Sequence, residues 1–473
     1  MAKDVESQYA EALDWIHSSM RFGSRLGLER ITRLLEILGN PQKNAKFIHI
    51  AGTNGKGSVT AMVASILSTS GYRTGMYISP YLEDYRERMM INGKKIPKEK
   101  LVELVSQVRP AVEQILKEGF DHPTEFEINT ALAFLYFAQE ECDYVALEVG
   151  LGGRLDATNV VTPAVSVITT IGYDHMTQLG NTLSEIAFEK AGIIKPKVPV
   201  VTGVVEEEPL EVIRKRAAQS DSDLVIVGQA PFANVTWEEV HPETIGSDDL
   251  SPLRGPTIDI IGPDYRYDHI YVPLLGKHQE LNAALAVAAL EAARVKPLRF
   301  TVQNSEEESA TLPIALDHQG IKVGMARTEW PGRLEVMHKN PLIILDAAHN
   351  PQGAQVLADF LKELEGRRII CVYGILGDKC YKESTSFICP LCQEVIVTKP
   401  HTPRALDPFI LAQEVEKYVE KVTVEENLDK AMELAISKAS SNDVVICCGS
   451  LYLVGPARTF ARKKFGIPEY GGE

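Results

Sequence analysis

The apolar run Phe47-Ile48-His49-Ile50-Ala51 leads straight into Gly52-Thr53-Asn54-Gly55-Lys56-Gly57-Ser58, and the residues that follow, Val59-Thr60-Ala61-Met62-Val63-Ala64, have helical periodicity. A strand, a glycine-rich loop and a helix in that order leave the chain little freedom. Glycines at 52, 55 and 57 let the backbone turn tightly and aim its N–H groups at an anion, and the helix adds the positive end of its dipole. Lys56 can reach the β and γ phosphates, and the Ser58 hydroxyl lies close to where a Mg²⁺ would sit. A nucleoside triphosphate is the ligand such a cradle suits. The loop departs from the common G-x-x-x-x-G-K-[ST] form, because only two residues separate its first two glycines and Gly57 stands between Lys56 and Ser58. The competing reading, a glycine-rich turn with an incidental lysine, loses to this narrower pattern in its strand-and-helix context.

At 473 residues the chain exceeds what one core usually supports, so two domains are expected. Apolar residues at 45% and charged residues at 24% give the balance of an ordinary globular protein. A net charge of −15, with no Lys/Arg cluster to offset it, argues against nucleic acid or an anionic membrane as partner. The start Met1-Ala2-Lys3-Asp4-Val5-Glu6 lacks the layout of a secretion signal, and no apolar stretch approaches the ~18 residues of a membrane span; the expected location is the cytoplasm. Seven cysteines, an odd number, fit reduced thiols. Cys389-Pro390-Leu391-Cys392, with Cys380 and His401, offers a four-ligand zinc set. The spacing matches no common finger, however, and 393–397 reads as a core strand, so buried or loop thiols are expected.

Beyond the loop, strand-like runs at 74–78, 144–149, 165–169 and 198–201 alternate with helical patterns near 97–118, 124–141 and 181–191. Such alternation implies an α/β fold with a mainly parallel sheet, whose ligands gather at the carboxyl ends of the strands. Residues 229–275 suggest hairpins, 278–294 an Ala- and Leu-rich helix, and 296–312, with Ser305-Glu306-Glu307-Glu308-Ser309, a polar linker. The division is expected at 296/297, giving a nucleotide-binding domain over 1–296 and a second domain over 297–473. The second series has strands near 342–346, 368–373, 393–397 and 443–448, helices near 352–364, 408–419, 426–439 and 451–464, and no phosphate loop of its own.

Several strands end in polar groups. Glu148 closes Val145-Ala146-Leu147, and Asp174-His175 follows Ile168-Thr169-Thr170-Ile171-Gly172. In a parallel sheet both project into the crevice above the phosphate loop, where a carboxylate and an imidazole can ligate a divalent cation. Leu345-Asp346-Ala347-Ala348-His349-Asn350-Pro351 ends a buried strand, and Pro351 starts a helix. Trp330-Pro331-Gly332-Arg333 sets an arginine in a turn, from which Arg333 and Asp346 could clamp nucleotide across a cleft.

Together, Gly52 to Ser58, Leu151-Gly152-Gly153-Arg154-Leu155-Asp156-Ala157-Thr158-Asn159, Glu189-Lys190-Ala191-Gly192-Ile193, Trp330-Pro331-Gly332-Arg333-Leu334-Glu335, Asp346 to Pro351 and Gly449-Ser450-Leu451-Tyr452-Leu453-Val454 resemble the folylpolyglutamate synthase and dihydrofolate synthase family, a branch of the Mur ligases. The resemblance implies an ATP- and Mg²⁺-dependent amide ligase with a smaller Rossmann-like C-terminal domain. It assigns the phosphates to Gly52, Thr53, Asn54, Gly55, Lys56, Gly57 and Ser58, magnesium to Ser79, Glu148 and His175, and nucleotide contacts to Asn282, Arg333 and Asp346. It assigns pterin contacts to Thr124, Glu125, Phe126, Glu127, Leu155, Asp156 and Ala157, and turns His349 toward the incoming amino acid. Lys190 aligns with a lysine that family members carry as a carbamate. Tyr81 and Cys380 stand where the family pattern has His and Asp.

The implied reaction begins with attack of a folate carboxylate on the γ-phosphate of ATP, giving an acyl phosphate and ADP; the amine of L-glutamate then attacks the activated carbonyl, and the tetrahedral intermediate collapses to amide and phosphate. Lys56, His175, Lys190, Asp346 and His349 are the expected catalytic group, and a monomer is expected because the family's substrate sites lie within one chain. A cell-wall ligase of the same group and a non-ligase nucleotide switch stay open as alternatives, as does the choice between dihydropteroate and tetrahydrofolate.

Overall fold

The computed structural model describes residues 4–23, 26–229, 233–240, 253–295, 298–301, 311–314, 318–364 and 366–472. Its first sheet is built from β1 (Lys46–Ala51), β2 (Thr74–Tyr77), β3 (Met89–Ile91), β4 (Lys94–Lys95), β5 (Tyr144–Glu148), β6 (Val165–Ile168), β7 (Val200–Thr202) and β8 (Leu224–Ile226), in the order β4-β3-β2-β5-β1-β6-β7-β8. All neighbours are parallel except at the β3 and β4 edge. The central strands β1, β5 and β6 are short apolar runs covered on both faces, as a parallel sheet between helix layers requires. The four strands expected here from the sequence appear as β2, β5, β6 and β7, each within a residue or two.

The helix Lys56–Thr69 carries apolar residues all round because it is enclosed all round. One side meets the sheet, another the Ala-rich helix His278–Ala292, and a third the helix His318–Ala326. That last helix lies beyond the division expected at 296/297, yet Ile321 and Met325 join the same core as Ile66, and Ser65 Oγ donates to Gly324 O at 2.6 Å. The packing therefore changes hands later than residue 297. Hairpins expected in 229–275 appear as β9 (Thr236–Glu239), β10 (Thr257–Ile261) and β11 (Arg266–Tyr271), an antiparallel sheet; 241–252 lie outside the described residues. Within the expected linker 296–312, β12 (Leu298–Thr301) pairs antiparallel with β13 (Thr311–Ile314), so at least its ends are strand rather than coil. The Ser305 to Ser309 run lies outside the described residues.

The second sheet contains β14 (Glu335–Lys339), β15 (Leu342–Asp346), β16 (Ile369–Tyr373), β17 (Glu394–Val397), β18 (Val422–Val424) and β19 (Val444–Cys448), ordered β14-β15-β19-β16-β17-β18. Only β14 is antiparallel. The two edge strands escape sequence reading because they are half-buried and short or bulged. The helix Tyr381–Ile388, too, has no counterpart in the sequence expectation. Cys389 and Cys392 are buried in the core beneath this sheet, whereas Cys380 is exposed. Among the described residues no helix is long and apolar enough to cross a membrane.

Candidate active site

The carboxyl ends of the two sheets face one another across a cavity of ≈ 320 Å³. All seven residues from Gly52 to Ser58 line it, with Ser79, Glu148, His175, Lys190, Asn282, Arg333, Asp346 and His349. The loop has its shape for local reasons. Gly52 at φ +150° and Gly55 at φ +85° occupy backbone regions that side chains rarely enter. Space forbids a side chain there as well: a Cβ at Gly52 would lie 1.8 Å from Thr169 Oγ1, and one at Gly55 2.5 Å from Asn282 Oδ1. Gly57 differs, since it sits in the first turn of the helix Lys56–Thr69 with no positive φ. Its hydrogen side faces the indole of Trp330, where a Cβ would lie 2.3 Å from Cζ2.

Lys56 Nζ folds back onto the loop, donating to Gly52 O at 3.0 Å and Thr53 O at 3.1 Å. Lys190 Nζ donates to the same Gly52 carbonyl at 2.8 Å. Burial, and then the charge of Lys56, lowers the Lys190 ammonium to about 7, and burial likewise lowers Lys56. Glu148 moves oppositely: burial raises its carboxyl to about 7 against the pull of Lys56. Its one hydrogen-bond donor among the described residues is Ser79 N, at a long 3.4 Å.

His175, in the left-handed region at φ +51°, is lowered to about 4 chiefly by burial, and its neutral Nε2 accepts from Lys379 Nζ at 3.4 Å. Among the described residues no three His, Cys, Asp or Glu side chains form a metal-holding group. The expected magnesium set contains only two such groups and a serine. Its donor chemistry still fits a hard cation, because a buried carboxylate this poorly hydrogen-bonded and a hydroxyl offer oxygen ligands on one wall of the cavity.

The second sheet supplies the facing wall. Asp346 accepts from Leu334 N and Ala348 N, both at 2.9 Å, so its carboxylate shapes the loops that carry Arg333 and His349. Burial raises Asp346, with Arg333 opposing. Asn350 caps the helix Pro351–Lys362 through Gly353 N at 2.8 Å, and its Nδ2 also donates to Asn54 Oδ1 at 3.0 Å and Asp174 Oδ2 at 3.3 Å. Asp174 is the meeting point: Lys379 Nζ lies 2.6 Å from Oδ1 and His349 Nε2 3.5 Å from Oδ2. Burial works to raise Asp174, but the His349 hydrogen bond and the Lys379 charge hold it well below the ordinary carboxylate range.

Lys379 and Gln352, which accepts from Asn54 Nδ2 at 2.7 Å, were not anticipated from the sequence. The signal for Lys379 was present, as it follows β16 at the end of a parallel strand where ligands gather.

None of the seven expected pterin residues lines this cavity. Thr124 and Glu127 form a capping box at the start of the helix Glu125–Gln139, and Glu127 also accepts from Arg30 Nε at 3.2 Å. The Phe126 ring closes over Gly150, and Asp156 is bound by Leu151 N, Thr158 N and Thr158 Oγ1. Ala157 is buried beside it and Leu155 is half-buried. Glu125 alone lines a second cleft, of ≈ 780 Å³, which shares Pro80, Leu451 and Tyr452 with the first.

Comparison with known proteins agrees with this geometry. Residues 50–290 match the Mur ligase middle domain and 332–451 the Mur ligase glutamate ligase domain. The dihydrofolate synthase/folylpolyglutamate synthase of Bacillus subtilis is 36% identical, over 95% of this chain and 98% of its own. The crystal structure of folylpolyglutamate synthase from Thermotoga maritima is 35% identical with a TM-score of 0.80, covering 98% of each chain. That of Mycobacterium tuberculosis complexed with ADP is 32% identical with a TM-score of 0.85, covering 97% of this chain and 99% of that one. The chain belongs to the folylpolyglutamate synthase and dihydrofolate synthase family of Mur ligases.

Proposed function

We propose that the chain joins L-glutamate to a folate, using ATP to activate the folate carboxylate as an acyl phosphate. The observation that carries this reading is the two-sided cavity: a phosphate-cradling loop and a buried carboxylate on one wall, and an arginine, a histidine and a lysine on the other. Phosphoryl transfer offers little covalent chemistry for protein groups, so positioning and charge compensation do most of the work. Lys56 and the loop N–H groups hold the transferring phosphates. Arg333 lies across from them, and His349 and Lys379 stand where the amino acid would approach. Mg²⁺, held by Ser79, Glu148 and His175, would neutralise charge on the phosphates. Closure of the facing walls over bound substrates would exclude the water that hydrolyses an acyl phosphate.

Lys190 supports a carbamate because only an uncharged amine adds carbon dioxide, and a pKa of about 7 leaves roughly half of it uncharged at neutral pH. The same reading takes a monomer acting in the cytoplasm, with the handover between domains falling in 327–331. The folate contacts proposed at 124–127 and 155–157 draw support from Glu125, which reaches the adjoining cleft.

The test is ADP release with ATP, Mg²⁺ and L-glutamate, comparing dihydropteroate, tetrahydrofolate and no pterin, with mass spectrometry of the products. Release that requires both glutamate and a pterin, with one glutamyl unit added, is expected. Release indifferent to both would overturn the proposal.

A further inference from the structure

A second polar cluster, outside the active cavity, joins the two halves of the molecule. Glu83 lies four residues beyond Ser79 and reaches the helix Leu451–Phe465 of the other half. It accepts from Arg458 Nη1, from Arg462 Nη1 at 3.0 Å and from Thr459 Oγ1 at 2.6 Å. Arg458 Nε donates to both oxygens of Glu335 at 3.0 Å. Glu335 in turn accepts Gly332 N at 2.9 Å, one residue before Arg333. Glu83 and Glu335 face the Arg458 guanidinium, Arg462 also lies 3.5 Å from Glu469, and the Arg458 and Glu83 side chains are only 5% and 9% exposed.

The surrounding backbone is packed tightly enough to transmit a shift. A Cβ at Gly455, on the same helix, would lie 2.0 Å from Leu82 O, so helix and loop touch backbone to backbone. Glu87 gathers that loop by accepting from Leu82 N at 2.7 Å and Asp84 N at 3.1 Å. At its other end the helix begins with Leu451 and Tyr452, which line the active cavity with Ser450. One buried guanidinium thus sits between the segment that carries Ser79 and the turn that carries Arg333. A planar fork can address two carboxylates at once, whereas a lysine ammonium at the same place is a single point charge.

We propose that Arg458 is a positioning residue for the active site: through Glu83 it fixes the Ser79 segment, through Glu335 the Arg333 turn, and so it sets the span between the magnesium and nucleotide sides of the cavity. The inference rests on the ligase reading above. The alternative is an ion cluster that merely holds two domains together.

The test compares Glu83→Gln, Glu335→Gln and their combination, with Thr459→Val as a mild perturbation that keeps every charge. The readouts are the half-saturating Mg²⁺ and ATP concentrations in turnover, the Kd of a non-hydrolysable ATP analogue without Mg²⁺, and the melting temperature. A relay predicts that Glu83→Gln and Glu335→Gln each raise both the Mg²⁺ requirement and the analogue Kd, by ~5-fold or more, with a smaller fall in kcat. The double variant should add little to the larger single effect, because either substitution already uncouples the two ends. Thr459→Val should move the Mg²⁺ requirement the same way by a smaller factor, and it carries the test if a charge variant does not fold. Lower melting temperatures with all half-saturation and Kd values within ~2-fold of wild type, or fully multiplicative effects, would reduce Arg458 to a structural tie. If the wild-type chain binds no ATP analogue at all, the ligase reading itself fails and the relay with it, a result separable from the others.

Discussion

Gly57→Ala separates conformation from space at the phosphate loop. At an ordinary helical position, Gly→Ala stabilises a helix by about 1 kcal/mol, and Gly57 has no positive φ to forbid the change. The new methyl, however, would lie 2.3 Å from Trp330 Cζ2, 2.8 Å from Cε2 and 3.1 Å from Nε1. Carbon atoms rest at about 3.5–4.0 Å, so the indole must retreat by ~1 Å or more. Trp330 is half-buried and packs on one side against Ala61, Met76, Ile78 and Met90, so a retreat in that direction disturbs this core. It also opens the turn whose Gly332 O accepts from Ala347 N at 3.0 Å. Overpacking of this kind costs about 1–3 kcal/mol, which outweighs the propensity gain. Because the strain falls on the turn carrying Arg333, kcat/KM for ATP should fall by up to ~10²-fold, the scale of a 1 Å misplacement. Trp330→Leu should make room, so that in the double variant Gly57→Ala does less harm than in the wild-type background, a coupling readable in melting and in ATP kinetics. A Gly57→Ala enzyme that is both fully active and more stable than wild type would refute the steric argument.

Other substitutions probe the charges. Lys56→Ala should lower kcat by at least ~10³-fold with an unchanged circular dichroism spectrum; substantial turnover in a folded variant would remove Lys56 from its role. The Glu148 carboxyl, raised to about 7 by burial, must be ionised to hold a cation. Apparent Mg²⁺ affinity should therefore plateau above pH ~7 and weaken up to tenfold per unit below it, a slope that Glu148→Gln abolishes. A Mg²⁺ requirement that stays flat from pH ~8 to ~6 would contradict this. His49 is fully buried, with Nε2 2.9 Å from Thr158 Oγ1, and is lowered from 6.5 to about 3, by burial first and then by Lys195. Between those values the unfolded chain holds the extra proton, so stability rises with pH and is lost as pH falls from 6.5 toward 3. Urea titrations should give His49→Gln a pH slope shallower than wild type by up to ~1.4 kcal/mol per unit; equal slopes would mean that the ring does not stay neutral.

What the sequence made legible was what neighbouring residues decide among themselves. The strand, loop and helix at 46–69 are local, and so is the rule that polar groups closing parallel strands face ligands, which located Glu148, His175, Asp346 and His349 on the cavity wall. The same local view misread Gly57, assigning to turn geometry a glycine that an indole some 270 residues later requires. It passed over Lys379 for a related reason: the lysine follows an apolar strand like many others, and only the approach of the second sheet brings its Nζ to 2.6 Å from Asp174. The candidate pterin residues divide along the same line: Thr124, Glu127 and Asp156 engage polar atoms in capping and turn bonds that are local, whereas the cleft that Glu125 lines takes its other side from the helix Leu451–Phe465. Periodicity and spacing therefore identify the walls of this site one at a time. The distance between the walls is set by side chains such as Arg458 and Trp330, whose partners lie in the other half of the chain, and that distance is what a reaction between two bound substrates depends on.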